Sequence, residues 1–243
     1  LLPEFRISTK IGFFPGEGQR AAHHLTPELL RYGAELAVDD LGTVPAVMLL
    51  HNPEASLSAL AASEAYDRFS AACAVLAEAK SAGLCREWGI SSWNPAPVLA
   101  ALAAGKSIAV PRPDVVMVRA GMLVSADALD CAEELFEVLN VPFTGRWGMS
   151  PFGGYGHDPI WNEVNARTIL GGNPLCSQHQ AAFRLAYELP AVQRVAVGTT
   201  NPIHLRDLIM ATTLHVDHER LSSYRTLLRE YAQKGRESAL EIG

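Results

Sequence analysis

Cysteine is scarce. Four residues (Cys73, Cys85, Cys131, Cys176), mostly dozens of positions apart and with no CxxC pair, are too scattered for a disulfide framework or a zinc knuckle, so the expected compartment is a reducing cytoplasm. A start methionine is missing, and so is the basic-then-apolar opening of a secretory signal; the chain begins Leu1-Leu2-Pro3. Apolar runs are short: Ala46-Val47-Met48-Leu49-Leu50 falls far below the roughly 20 residues of a membrane span. Basic residues are outnumbered, 20 against 26 acidic ones for a net charge of −6, and they form no patch, so neither nucleic acid nor membrane is an expected partner. No GxGxxG follows any strand-like run, which weakens a classical dinucleotide fold. Apolar residues, by contrast, are plentiful. At 49 % hydrophobic and 19 % charged, 243 residues can bury a sizeable core, and the length suits a single α/β domain over 1–243.

Strand and helix signals alternate along the chain. A β-prone run over 5–11 is closed by Gly12 and a polar loop through His24. Thr26-Pro27-Glu28 then opens a helix over 26–40 with a cap, a proline in the first turn and an acid at the positive end, and Gly42 stops it. The continuous apolar run 46–51 has the mark of a strand buried on both faces. A long helix over 56–82, a strand over 87–91 and a helix over 95–104 follow. Then come a strand at 115–118, a helix at 126–139 and a strand at 146–150. A long loop leads to a helix near 180–188, a strand at 194–198, a helix at 202–212 and a final polar helix at 217–234. Six strand–helix units in strict alternation argue a parallel sheet with helical crossovers. An open doubly wound sheet fits six units; a closed barrel of eight strands also fits if two units are absent from the N-terminal side.

Polar residues end several of these strands: Lys10, His51-Asn52, Ser91-Ser92, Ser150 and Thr199-Thr200. In a barrel, such strand ends carry the chemistry. An ammonium at Lys10 and an imidazole at His51 on neighbouring strands could act on one substrate atom, the first by shifting a neighbour's pKa, the second by donating to a developing oxyanion. Toward the C-terminus, Ser150-Pro151-Phe152-Gly153-Gly154-Tyr155-Gly156 is a loop whose glycines let backbone N–H groups approach an anion. Gly198-Thr199-Thr200-Asn201-Pro202 leads into a capped helix whose N-terminus favours negative charge.

In order and spacing, these segments resemble the aldo-keto reductases, a family of nicotinamide-dependent (β/α)8 barrels. The resemblance rests on Ser8-Thr9-Lys10, Val47-Met48-Leu49-Leu50-His51-Asn52-Pro53, Glu87-Trp88-Gly89-Ile90-Ser91-Ser92-Trp93, Gly148-Met149-Ser150-Pro151-Phe152-Gly153-Gly154 and Val197-Gly198-Thr199-Thr200-Asn201-Pro202-Ile203-His204-Leu205. It implies an N-terminally incomplete (β/α)8 TIM barrel whose first strand here is similar to the family's third. Of the family's catalytic set, Lys10 matches the lysine and His51 the histidine; the tyrosine proton donor and the aspartate would lie upstream of Leu1, and no tyrosine in this chain matches.

The resemblance also assigns cofactor positions. Ser91 matches the serine of the nicotinamide pocket, while the asparagine that follows it, the carboxamide-binding glutamine and the stacking aromatic residue of the family fall at Ser92, Met117 and Met149 here, three departures that weaken the expected grip on the nicotinamide. Ser150, Phe152, Gly153 and Gly154 match the diphosphate loop. Gly198, Thr199, Thr200 and His204 match positions around the adenosine 2′-phosphate, and Asp207 a position near the adenine. The implied activity is reduction of an aldehyde or ketone by NADP(H), with NAD(H) as the alternative cofactor. Phe13, Phe14, Trp93, Trp161 and the loop 155–174 are the residues expected to shape the substrate pocket. Two other readings stand beside this one: a non-redox barrel lyase or isomerase using Lys10 and His51 for acid–base or Schiff-base chemistry, and a nucleotide-binding regulatory subunit with little turnover.

Overall fold

The computed structural model describes residues 5–16, 21–105, 110–154, 159–171 and 175–241. They fall into two compact units, Leu1–Val118 with Glu134–Arg146, and Arg119–Glu133 with Trp147–Gly243.

In the first unit the chain runs through β1 (Ser8–Ile11), β2 (Phe13–Pro15), β3 (Ala21–His23), α1 (Pro27–Leu41), β4 (Val47–His51), α2 (Glu54–Leu57), α3 (Ala62–Ser81), β5 (Glu87–Ser92), α4 (Ala96–Ala104) and β6 (Val115–Arg119). β4 pairs in parallel with β1 and with β5, and β5 with β6, so each new strand lies beside the previous parallel one. Met48, Leu49 and Leu50 are all fully buried, as the uninterrupted apolar run required. Phe69, Ala72, Cys73 and Leu76 line the buried stripe of α3. α1 begins on Pro27 and ends at Gly42 in the left-handed conformation (φ 61). Thr26 has the extended backbone of a cap, although its side chain makes no capping bond.

Three sequence expectations are corrected here. The polar loop 12–24 contains the antiparallel hairpin of β2 and β3, with Phe13 opposite His23. The helix expected over 56–82 is two helices, broken at 58–61, because Glu54 is drawn inward to bind the loop after β5. The first strand begins at Ser8, with Phe5 left 68 % exposed.

The second unit holds β7 (Arg146–Met149, from Trp147 onward), α6 (Gln178–Leu185), β8 (Arg194–Ala196), α7 (Pro202–Ala211) and α8 (His218–Glu241), with α5 (Ala126–Val138) contributing its first two turns. β7 and β8 are parallel. Trp161, Ile169, Leu170, Ala181, Leu185, Leu189 and Leu221 form its core with Met122 and Leu129. Arg225 and Arg229 of α8 reach Glu133 and Asp130 of α5, both at 2.6 Å. A Ser177/Gln180 capping box starts α6, two residues earlier than expected, and the loop before it folds into 3-10 turns at Pro159–Asn162 and Ala166–Leu170. No helix among the described residues is long and apolar enough to cross a membrane.

Candidate functional site

Strand register decides which polar residues share a face. In the first unit Lys10 lies opposite Leu49, and His51, two residues beyond Leu49, points to the same side. His51 is opposite Ser91, and Ser91 opposite Met117. Lys10, His51, Ser91 and Met117 therefore emerge on one face, at or near the C-terminal ends of four parallel strands. Burial lowers the Lys10 pKa. Burial, reinforced by the Lys10 ammonium and by His23, pushes that of His51 down to about 4. At neutral pH the His51 ring is thus an uncharged imidazole, able to donate one hydrogen bond and accept another.

The hairpin of β2 and β3 closes over His51. His23 Nε2 donates to the His51 backbone carbonyl at 2.7 Å, which fixes the proton on Nε2; in the neutral ring Nδ1 then accepts from Ser56 Oγ at 2.6 Å. The Phe13 ring stands edge-on to both imidazoles, 4.8 Å between centroids in each case. Burial lowers the His23 pKa, against the opposing pull of its bond to His51 and of Glu54. Asn52 has a left-handed backbone (φ 49), which asparagine tolerates, and its Oδ1 is buried without a partner among the described residues.

Ser92 is placed differently from Ser91. Neighbouring residues on a strand face opposite ways, and the Ser92 hydroxyl donates to Glu54 Oε2 at 3.0 Å. Glu54 Oε1 accepts from the backbone N–H of Trp93 at 2.6 Å and of Asn94 at 3.0 Å. This buried carboxylate clamps the turn that follows Ser91. Of the aromatic substrate-pocket candidates in this unit, Phe13 is beside His51, Trp93 is 41 % exposed and Phe14 packs against Gly33 of α1.

The second unit contains a cavity of about 850 Å³, within the usual range of roughly 300–1,000 Å³ for small-molecule sites. Phe152, Gly198, Thr199, Thr200, His204 and Asp207 all line it. Val197 and Asn201, both within the C-terminal segment named from sequence, also line it; Ser177, His179, Gln180 and Leu208 complete the wall and were not singled out from sequence. Asn201 Oδ1 caps α7 by accepting from the Ile203 N–H at 2.9 Å, and His204 and Asp207 follow at helical spacing on the cavity side. Gln180, on α6, donates to the Asp207 carbonyl at 3.2 Å and fixes that wall. Trp161 is buried, donates to the Phe152 carbonyl and stacks obliquely on His179.

In the loop after β7 the Gly153 N–H is taken by the Ser150 carbonyl at 3.0 Å. Ser150, Gly153 and Gly154 have φ values of 55°, 77° and 122°. A Cβ at Gly154 would touch nothing within 4 Å among the described residues. Met149 is buried at the end of β7. Part of the expected substrate loop, 155–158 and 172–174, lies outside the described residues.

No protein-family model and no curated protein matches this sequence. Solved structures do. An aldo-keto reductase from Bacillus halodurans in its holo form is similar at a TM-score of 0.64 and 15 % identity, over 91 % of this chain and 72 % of that one. Aldose reductase from Giardia lamblia gives 0.61 at 16 % identity, over 93 % and 72 %. A Pseudomonas aeruginosa protein assigned to the aldo-keto reductases gives 0.54 at 23 % identity, over 84 % of this chain; the match spans 65 % of its own length. The chain therefore has an α/β fold of the aldo-keto reductase type, a partial (β/α)8 barrel.

Proposed function

We propose that the chain serves the reduction of a small aldehyde or ketone to an alcohol by a nicotinamide dinucleotide. The observation that carries this reading is the pairing of Lys10 with a neutral His51 on one face of adjacent parallel strands. His51 orients and polarises the substrate carbonyl through a hydrogen bond. Lys10 lowers the pKa of a tyrosine proton donor, assigned upstream of Leu1, so that a proton reaches the alkoxide as it forms. Ser91, Met117 and Met149 are assigned to the nicotinamide side, with Ser92 supporting through Glu54. Ser150, Gly153 and Gly154 would hold the diphosphate, and Phe152, Gly198, Thr199, Thr200, His204 and Asp207 the adenosine end. When bound, the dinucleotide supplies the hydride; the protein supplies position and protons. A cytoplasmic setting suits this chemistry.

The burial that lowers the Lys10 pKa favours one competing reading, Schiff-base chemistry on a non-redox barrel. The experiment separating the two incubates the intact protein with simple aldehydes and NADH or NADPH, following dinucleotide oxidation, and in parallel with borohydride, following covalent trapping at Lys10. Dinucleotide oxidation that needs the aldehyde supports reduction. Borohydride trapping without any dinucleotide binding at ~1 mM overturns it.

A further inference from the structure

We propose that the cavity of the second unit selects the dinucleotide without a 2′-phosphate, NAD(H) over NADP(H). This rests on the reading of that cavity as the adenosine site. A phosphate monoester carries about −1.5 to −2 charges near neutral pH and needs cationic or densely donating partners. Among the described residues the cavity wall holds no lysine or arginine, and its carboxylate, Asp207, bears the wrong sign for a phosphate.

The nearby arginines are otherwise engaged or turned away. Arg184 pairs with Glu188 at 2.8 Å and donates to the Leu214 carbonyl. Arg194 lies over the Trp147 ring at 5.2 Å. Arg206 is two residues from His204 on α7, about 200° around the helix and so off the cavity face. The stretches 155–158 and 172–174 contain no lysine or arginine in their sequence.

The N-terminus of α7 replaces a cation only in part. Pro202 has no N–H, the Ile203 N–H is taken by Asn201 Oδ1 and that of Leu205 by the Asn201 carbonyl, which leaves the His204 N–H as the first-turn donor among the described residues. The other polar side chains of the wall are the hydroxyls of Ser177, Thr199 and Thr200, the amides of Gln180 and Asn201, the imidazoles of His179 and His204 and the Asp207 carboxylate, with Thr199 Oγ1 already bonded to the Asn201 backbone; none is a fixed cation, and they suit ribose hydroxyls. An arginine is the usual partner of a 2′-phosphate in dinucleotide sites, and none lines this wall among the described residues.

Calorimetric titration of the protein with NADH, NADPH, 5′-ADP and 2′,5′-ADP tests the proposal; the last two report on this wall without the nicotinamide. The expected result is at least about tenfold weaker binding for each 2′-phosphorylated ligand than for its partner. Thr200→Arg, at an exposed position on the wall, is expected to shrink or reverse the ratio. Equal or tighter binding of NADPH and 2′,5′-ADP by the unsubstituted protein would overturn the selectivity while leaving the nucleotide site standing. An unchanged ratio in Thr200→Arg would overturn the assignment of this wall to the 2′ position. Failure of all four to bind would remove the nucleotide reading itself.

Discussion

His23 donates a hydrogen bond through Nε2 to the backbone carbonyl of His51 at 2.7 Å, tying a short hairpin to the end of β4. The two imidazoles also share Phe13, whose ring meets each of them edge-on. The His51 side chain is thus held by a ring contact and its backbone by a second histidine, and the side chain leaves the strand on the face that Lys10 shares.

Replacing His23 by leucine removes this bond and the one to Ser56 while keeping bulk beside Phe13. A loss of about 1–2 kcal/mol in urea denaturation is expected. By NMR titration His51 should become easier to protonate, because His23 is one of the groups holding its pKa down, though burial, the larger cause, remains.

Glu54 should matter more. It is 7 % exposed and accepts three hydrogen bonds, so Glu54→Ala leaves the Trp93 and Asn94 N–H groups and the Ser92 hydroxyl without their acceptor. The expected loss is about 3 kcal/mol, against about 1 kcal/mol for Ser92→Ala, which gives up one bond. Equal effects of the two substitutions in equilibrium unfolding would show that Glu54 is not the clamp.

Gly89 sits where β5 and β6 crowd together. A Cβ there would lie 2.1 Å from the Val115 carbonyl oxygen and 2.8 Å from Leu49 Cδ2. Gly89→Ala should therefore destabilise the first unit by about 3 kcal/mol through forced separation of the strands. Chemical denaturation and soluble yield report it; a neutral result would mean that the strands can separate without penalty.

Stability should also fall in mild acid. The His51 pKa is about 4 in the folded chain against the ordinary 6.5, so between those values the unfolded chain takes up the proton first. Stability is whole above pH 6.5 and declines as pH falls toward 4; His23, also lowered, acts in the same direction. Thermal melting across that range should show a shallower decline in His51→Asn than in the parent.

Lys10→Met addresses the chemistry. If the lysine acts on the proton donor, turnover with an aldehyde should fall by about 100- to 10,000-fold while dinucleotide affinity stays within about threefold. Loss of dinucleotide binding instead would make Lys10 a nucleotide ligand.

How much of this could be read from the sequence depends on how local the cause is. The strands β4 and β6 were visible as apolar runs, and α1 and α7 through a proline in the first turn, because these signals lie within a few residues of what they specify. The hairpin was not. β2 and β3 are three residues each, too short for an alternating pattern. The break after α2 was also hidden, since Ser58-Ala59-Leu60-Ala61 permits a helix and the partners that hold Glu54 lie about 40 residues away. Ser92 is a subtler case. Strand parity alone shows that two adjacent serines cannot both face His51, whereas only the fold shows that Glu54 waits on the other side.

The placing of Phe13 between His23 and His51 has a spectroscopic consequence. An aromatic ring in a magnetic field generates a local field of its own, and both imidazoles lie within 4.8 Å of this one. The carbon-bound ring protons of His23 and His51 should both be shifted by this one ring, at shorter range than Phe152 acts on His179 or Phe14 on His24. Phe13→Leu would remove that shift from both at once without replacing either imidazole. The chain thus carries an internal reporter at its candidate site, readable by proton NMR with no added label.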